Sequence, residues 1–306
     1  MTIEFNCPSC GAVIAFADPH AGKGARCSTC GQHLIIPNES FSKPLGLAEE
    51  EPDRGEPVSG FYFAAFSEGW GLFVRPGNVV PLVFIVAVVC LKFFVAHVDY
   101  SFSIAGRFNV YLPVGLLVRA TCWGCLFWYY LEIINNTVLS DNTCDLPEIE
   151  IEGCSEFFAN ALRSLWVIAM ALVICILPAT AADGLWGEGS STLLSQVLTN
   201  AGLFILPMLL LAVGVTRDST QLVRFDLTVP PLLKTFLPYL SVALLIMIAA
   251  QLQFRAKNYG DSGIINASAL VKAGWLLAQL GLQILAIIGA RGLGLLHRHY
   301  ECFFRW

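Results

Sequence analysis

Long apolar segments alternate with short polar ones over most of the chain after residue 60. Six of these segments approach the roughly 20 residues that an α-helix needs to cross the hydrocarbon core of a bilayer. They run approximately over 79–98, 110–134, 165–182, 193–215, 236–252 and 267–290. The pattern predicts an all-α, multi-pass transmembrane helical bundle of about six spans over 61–306. The aromatic stretch 61–73 predicts an amphipathic helix along the membrane interface.

Residues 1–37 follow a different pattern, in which short strand-like runs lie beside paired cysteines. The runs are 3–5, 12–16 and 33–36, and the pairs are Cys7 with Cys10 and Cys27 with Cys30. Each Cys-x-x-Cys pair can present two thiolates to one ion from a tight turn, and the glycine after each pair permits a positive φ. The spacing between the pairs is typical of a Cys₄ zinc site. We therefore predict a small N-terminal β zinc ribbon, with structural zinc bound by the four cysteines.

Two other uses of the four cysteines stay open. Disulfides are one, although we expect no secretory signal ahead of the cysteines, and a reducing cytosol favours thiolates. Iron is the other, because a rubredoxin-like site uses similar turns and spacing alone does not separate iron from zinc. Nucleic acid is not expected as a partner, because Lys23 and Arg26 are balanced by Glu4 and Asp18 and leave no basic patch.

Residues 38–60 contain almost no side chains that could form a core. The acidic run Glu49–Glu51 is followed by Asp53 and Glu56, with prolines and glycines between them. Segments with so little apolar surface do not bury enough of it to offset the entropy of ordering. We predict an acidic, flexible linker that tethers the ribbon to the membrane domain.

The composition and the distribution of cations agree with a membrane protein. Of the 306 residues, 56% are hydrophobic and 13% are charged, about half the charged share of a typical soluble domain. If the ribbon is inside, the inner segments carry Arg75, Arg163, Arg217, Arg224, Lys234, Arg291, Arg298 and Arg305, whereas the outer loops carry Arg107, Arg255 and Lys257. Because Lys and Arg are retained on the cytoplasmic side, we expect an even number of spans with both termini in the cytoplasm.

Charged residues within the predicted spans include Lys92, Arg119, Glu132 and Lys272. A charge that faces hydrocarbon is costly, so such a side chain either reaches toward the headgroups or marks a pathway for an ion or solute. We expect Lys92, Arg119 and Lys272 to reach the headgroups of the outer side. The alternative is an intramembrane polar site formed by Lys92, Arg119 and Glu132, as in a transporter or channel component.

Cys122 and Cys125 have the spacing of a redox dithiol, but no βαβ pattern surrounds them. They lie in an apolar span, where positions i and i+3 share one face of a helix. The chain also contains no paired carboxylates, serine–histidine pattern or phosphate-binding loop of the kinds found in catalytic sites. We therefore do not expect an enzyme.

Several motifs together resemble those of zinc-ribbon membrane proteins of uncharacterised function, which are numerous in planctomycete-type bacteria. The ribbon is similar in Ile3-x-Phe5-x-Cys7-Pro8-x-Cys10-Gly11, in Ala21-Gly22-Lys23 before the second pair, and in Ile35-Ile36-Pro37. The membrane part is similar in Tyr129-Tyr130, in the acidic segment 145–156, in Phe157-Phe158 before Arg163, and in the tail 290–306. The resemblance implies an integral membrane protein that binds zinc, and it implies no particular activity.

The sequence leads to one functional expectation. A small fold on an acidic tether, attached to a bilayer-embedded domain, is a plausible docking element for a cytoplasmic protein. We therefore expect an integral protein of the bacterial inner membrane with a cytoplasmic zinc-ribbon interaction module. A transporter or channel component is the alternative.

Overall fold

The computed structural model describes residues 2–6, 13–31, 33–36, 56–95, 97–98, 100–104, 108–140, 145–149, 153–186, 192–261 and 263–304. The chain divides into two compact units, Met1–Asp53 and Arg54–Trp306. Two of the four predicted zinc ligands, Cys7 and Cys10, lie outside the described residues, as does most of the predicted linker 38–60. Each unit is considered by itself.

The N-terminal unit consists of two antiparallel hairpins. Strands β1 (Thr2–Asn6) and β2 (Val13–Ala17) form the first, and strands β3 (Gly24–Arg26) and β4 (His33–Ile35) form the second. Five buried side chains form the described core: Ile3, Ile14, Cys27, Leu34 and Ile36. A core of this size provides little apolar burial, and units this small usually need a disulfide, a metal or an oligomer for stability.

The second unit is mostly helical. Its helices are α1 (Val79–Val95), α2 (Val114–Leu139), α3 (Cys154–Trp186), α4 (Thr192–Thr216), α5 (Phe225–Lys234), α6 (Phe236–Arg255) and α7 (Ala269–His299). All but the short α5 are long and apolar enough to cross a membrane. The prediction of a multi-pass helical protein with about six spans is thus confirmed at this level.

Several boundaries differ from those predicted. The stretch predicted to begin the second span at 110 instead belongs to a hairpin of β5 (Tyr100–Ile104) and β6 (Phe108–Leu112), and α2 starts after Pro113. Apolar side chains alternate along Phe108–Leu112, and alternation favours a strand over a helix. The predicted interfacial helix 61–73 is irregular, with a π-helical turn (Phe63–Ser67) followed by a 3-10 helix (Glu68–Phe73).

Contacts between helix ends define two faces of the bundle. At one face, which we call the near face, Arg75 forms an ion pair with Asp145 at 2.7 Å, and Arg298 Nη1 donates to the Ser140 carbonyl at 2.6 Å. At the opposite end, the far face, the Tyr259 N–H donates to the Phe93 carbonyl at 3.2 Å. The chain enters the unit at the near face. Three helices start at this face (α1, α3 and α6), and three end there (α2, α4 and α7).

Glycines allow neighbouring helices to approach closely. A Cβ added at Gly124 on α2 would overlap the backbone carbonyl of Ala161 on α3, and one added at Gly202 on α4 would overlap the carbonyl of Cys175 on α3. Small residues at helix crossings permit such approach in membrane proteins, where van der Waals packing is a main source of association. Helix α3 is therefore packed backbone to backbone against both α2 and α4.

We predict that Gly202→Ala destabilises the protein, because the new methyl group meets backbone rather than a side chain that could rotate away. The expected loss is about 1–3 kcal/mol of unfolding free energy, as for other overpacked sites, measured by denaturant titration in mild detergent. Gly281→Ala on α7 is the control, because no described atom lies within 4 Å of its added Cβ. Equal stability of the two variants would contradict the close α3–α4 contact.

Candidate functional site

The turn that follows β3 has the geometry of a thiolate-presenting knuckle. The backbone N–H of Thr29 lies 3.4 Å from Cys27 Sγ, and the N–H of Gly31 donates to the Cys27 carbonyl at 2.9 Å. Gly31 has φ of +73°, which a residue with a side chain rarely adopts. Cys27 is 3% exposed whereas Cys30 is exposed. We call residues 27–31 the knuckle turn.

The two hairpins share one layout. Strand β1 ends at Asn6, one residue before the first cysteine pair, and strand β3 ends at Arg26, one residue before the second pair. Strand β2 begins two residues after Gly11, and strand β4 begins two residues after Gly31. The two Cys-x-x-Cys-Gly motifs therefore have equivalent sequence positions relative to the flanking strands.

Other residues of the N-terminal unit do not add to this donor set. Arg26 Nε donates to His33 Nε2 at 2.7 Å across the directly paired positions of β3 and β4, so that ring nitrogen already has a partner. His20 is exposed. Within the part of the chain that the structure describes, no three His, Cys, Asp or Glu side chains form a group that could hold a metal. Only Cys27 and Cys30 of the predicted ligands belong to that part.

The three residues of the predicted intramembrane polar site do not come together. Lys92 on α1 is 2% exposed, and its Nζ lies 4.5 Å from the centre of the Trp123 ring on α2. Arg119 lies one turn before Trp123 and is exposed. Glu132 is 13 positions beyond Arg119, or about 20 Å along the helix axis. Lys92 is thus held by an aromatic ring within the bundle, which differs from the expectation that it extends to the headgroups.

Glu132 belongs to a charged cluster at the near face. Arg217, just after α4, donates to Glu132 at 2.8 Å, and Arg163 Nη2 on α3 donates to the Arg217 carbonyl at 3.3 Å. Asp218 follows, and hydrogen bonds from the hydroxyl and the N–H of Thr220 lower its carboxyl pKa. The cluster joins the ends of α2, α3 and α4, so its role in the geometry is to hold helix ends together.

An unpredicted set of uncharged polar side chains lies between α2, α6 and α7. Tyr130 on α2 donates to Gln283 Oε1 on α7, and Gln283 Nε2 donates to Gln253 Oε1 on α6 at 3.2 Å. One turn earlier on α7, Gln279 Nε2 donates to the Lys257 carbonyl at 2.9 Å and lies 3.2 Å from Asn258 Oδ1. The sequence does contain a signal for this polar set, because two glutamines lie four positions apart within an apolar span. The prediction of a polar site considered only the charged residues of the spans.

Gln279 has one polar atom without a partner. The residue is fully buried, and its Oε1 finds no hydrogen-bond partner among the described residues. The orientation of the amide is fixed chemically, because a carbonyl such as that of Lys257 accepts only from the NH₂ end. The orphaned atom is therefore the acceptor, and a ligand or water at this position would have to donate.

Cys122 and Cys125 are both buried on one side of α2, in the core that also contains Leu126 and Tyr129. Their placement agrees with the interpretation that they pack as small apolar groups. No disulfide joins these two described residues. The redox hypothesis therefore gains no support from the geometry.

Arg291 ties the irregular segment 61–73 to α7. Its side chain is fully buried, its Nη1 donates to the Ala64 carbonyl at 2.6 Å, and its Nη2 lies 3.9 Å from Glu68. The predicted sixth span ended at Ala290, which would have left Arg291 in a cytoplasmic tail, whereas α7 continues to His299. The guanidinium can be buried within the continued helix because it is hydrogen-bonded and lies beside a carboxylate.

We predict that the hydroxyl of Tyr130 and the amide of Gln283 are energetically coupled. In a double-mutant cycle with Tyr130→Phe and Gln283→Leu, the expected coupling energy is about 0.6–1.7 kcal/mol, as for other hydrogen bonds between membrane helices. The measurement is unfolding free energy in lipid-like detergent. Tyr130→Phe combined with Ser241→Ala is the control, because Ser241 bonds only within its own helix to Pro238. Strict additivity of the first pair would contradict the network.

No protein-family model, curated protein or solved structure matches the chain. The resemblance to zinc-ribbon membrane proteins therefore stays a prediction that rests on the motifs quoted for it.

Proposed function

We propose that this chain is an integral protein of the bacterial inner membrane that holds a zinc ribbon in the cytoplasm as a docking module for another protein. The observation that carries the proposal is the knuckle turn, in which the Thr29 N–H is directed at Cys27 Sγ. Hydrogen bonds to the charged form of a group favour that form, and the thiolate is the form of cysteine that binds metal. The turn thus favours the ligand state of Cys27.

The residues present fit a Cys₄ zinc site. The ion would be held by the four cysteines of the two motifs, because the motifs follow equivalent strands of the two hairpins. These cysteines are Cys7, Cys10, Cys27 and Cys30. Bound zinc would supply folding free energy directly. That contribution suits a unit whose described core has only five side chains, and Lys23 and Arg26 would offset the negative charge of four thiolates.

The orientation rests on the distribution of cations between the two faces of the bundle. Outside the six candidate spans, the described connections at the near face carry Arg75, Arg217, Arg224 and Lys234, whereas those at the far face carry Lys257. Because Lys and Arg bias loops to the cytoplasm, the near face would be cytoplasmic. The chain enters the membrane unit at that face, where the Val58 N–H donates to the His299 carbonyl at 2.8 Å.

A protein is the partner that the ribbon surface favours over a nucleic acid. Lys23 and Arg26 are the two cations beside the second cysteine pair, and Glu4 and Asp18 balance them in the same unit, so the unit carries no excess of positive charge for phosphates. The adjacent strand exposes 73% of Ile35. An exposed apolar side chain of this kind can be buried in a contact with a protein.

A second candidate function, a transporter or channel component, is favoured by Gln279, whose buried acceptor lacks a partner among the described residues. Fully buried polar groups in a membrane bundle often line a solute site. The path would then involve the amides of α6 and α7 rather than Lys92, Arg119 and Glu132 together. Proteoliposomes whose glycerol permeability equals that of protein-free vesicles would remove this candidate for small neutral solutes.

We predict about one zinc per purified chain and a partner set that depends on it. Metal is measured by elemental analysis of protein purified without chelators, with iron measured alongside zinc. Cys30→Ser is expected to lose most of the zinc, and proteins crosslinked to the chain in cells should disappear with it. Cys302→Ser is the control, because Cys302 lies outside the ribbon. Metal-free wild-type protein, or a partner set that Cys30→Ser leaves unchanged, would contradict the proposal.

We predict that the two ends of the bundle differ in accessibility from outside the cell. The test uses a variant that retains only the four ribbon cysteines, with one new cysteine at an exposed position of either face. Lys257→Cys should react with a membrane-impermeant maleimide on spheroplasts, whereas Glu301→Cys should react only after permeabilisation. The reverse result would place the ribbon outside and overturn the cytoplasmic assignment.

A further inference from the structure

A groove opens at the far face between the last turn of α1 and the first turns of α7. It has a volume of about 370 Å³, within the range of single-ligand sites, about 300–1,000 Å³. Phe93 and Phe94 of α1 line one side, and Ala273 and Leu276 of α7 line the other. Phe94 is 46% exposed on the outer surface of the bundle, so the groove is accessible from the lipid side.

The groove lies at the level where a bilayer changes from hydrocarbon to headgroups. The span that includes α1 runs over Pro76–Val95 and has 20 residues, which correspond to about 30 Å of helix and therefore to one hydrocarbon thickness. Phe93 and Phe94 at its end must then lie near the boundary. Tyr259, which lines the groove, is held at the same level because its N–H donates to the Phe93 carbonyl.

One cation projects at the mouth of this otherwise apolar groove. Lys272 Nζ donates to the Ile265 carbonyl at 2.9 Å and lies 4.3 Å from the centre of the Tyr259 ring. An ammonium has three donors, so a further N–H remains for an anion after these two contacts. The groove thus combines a fixed positive charge at headgroup level with an apolar channel that continues toward the membrane interior.

The surroundings of Lys272 add to its positive field. The first turn of α7 is next to the groove, since Ala269 is one of its lining residues, and the N-terminus of a helix attracts negative charge. The connection from α6 contributes Arg255 and Lys257, against the carboxylate of Asp261, which accepts from the Asn258 N–H. Among the described residues of this rim, cations outnumber carboxylates, which is complementary to an anionic headgroup.

We propose that the groove binds one anionic phospholipid, with its phosphate on Lys272 and an acyl chain along Phe93, Phe94 and Leu276. The occupant follows from location and charge: lipid is the solvent at this surface, and an ammonium held at headgroup level favours a headgroup with a net negative charge over a zwitterionic one. Ala273 keeps the channel open, because a larger side chain there would fill the space that the acyl chain occupies. The site is separate from the ribbon and does not depend on the docking role.

The test measures lipid bound to the full chain by native mass spectrometry from mild detergent. The probes are dioleoylphosphatidylglycerol, dioleoylphosphatidylcholine and inorganic phosphate, each titrated separately. Wild-type protein should retain one phosphatidylglycerol more strongly than phosphatidylcholine and should not retain phosphate alone. Lys272→Gln should weaken phosphatidylglycerol binding about fivefold, the expected effect of one lysine near a headgroup, and Lys272→Arg should preserve it.

Two further variants distinguish a specific lipid-binding site from nonspecific contact with lipid. Ala273→Leu should weaken retention of both lipids, whereas Lys234→Gln, which changes an exposed lysine at the near face, should leave the phosphatidylglycerol preference intact. Equal retention of the two lipids by wild-type protein would overturn the proposal. Retention of inorganic phosphate in the absence of lipid would also overturn the proposal. So would an Ala273→Leu substitution that converts a dimer to monomers without changing the bound lipid, because a second copy of the chain would then be the occupant of the groove.

Discussion

The structure of the membrane unit depends on the absence of water from the hydrocarbon core. Each backbone polar group there must find its partner within the chain, which is why the apolar stretches are helices and why non-helical backbone is confined to their ends. The same constraint applies to side chains. Asn135 Nδ2 donates to the Gly214 carbonyl at 2.9 Å, and Ser164 Oγ on α3 lies 3.3 Å from the Gly124 carbonyl on α2. Polar residues inside the bundle therefore form contacts that fix how neighbouring helices lie.

Arg291 shows the strongest form of this constraint. A fully buried guanidinium would be very costly without partners, and here it is hydrogen-bonded to Ala64 and lies beside Glu68. Because both partners belong to the irregular segment before α1, that segment is held against α7. Aromatic contacts of Phe61 with His299 and Tyr300 reinforce the same junction. The near face is consequently built from the start and the end of the membrane unit together.

How much of this could be predicted from the sequence depends on which force determines each feature. Hydropathy gives the number of spans, because apolar length is a property of the chain alone. It did not give the β5–β6 hairpin, since Phe108–Leu112 is apolar enough to extend a span and only its alternation distinguishes it. Contacts between side chains of different helices depend on which helices are neighbours. Examples are the contact of Lys92 with Trp123 and those of Gln283 with Tyr130 and Gln253. Sequence spacing within one helix contains no such information.

The metal hypothesis and the orientation hypothesis rest on unrelated observations, and each constrains the other. The metal hypothesis rests on the hydrogen bond from the Thr29 N–H to Cys27 Sγ in the knuckle turn. The orientation hypothesis rests on the distribution of arginines and lysines between the two faces of the membrane unit. Thiolates persist in a reducing compartment and tend to be oxidised outside it. A far face in the cytoplasm would put the ribbon cysteines where disulfides form, and two disulfides would then explain the pairs equally well. The zinc hypothesis therefore requires a cytoplasmic near face, in addition to the knuckle turn that favours a thiolate at Cys27.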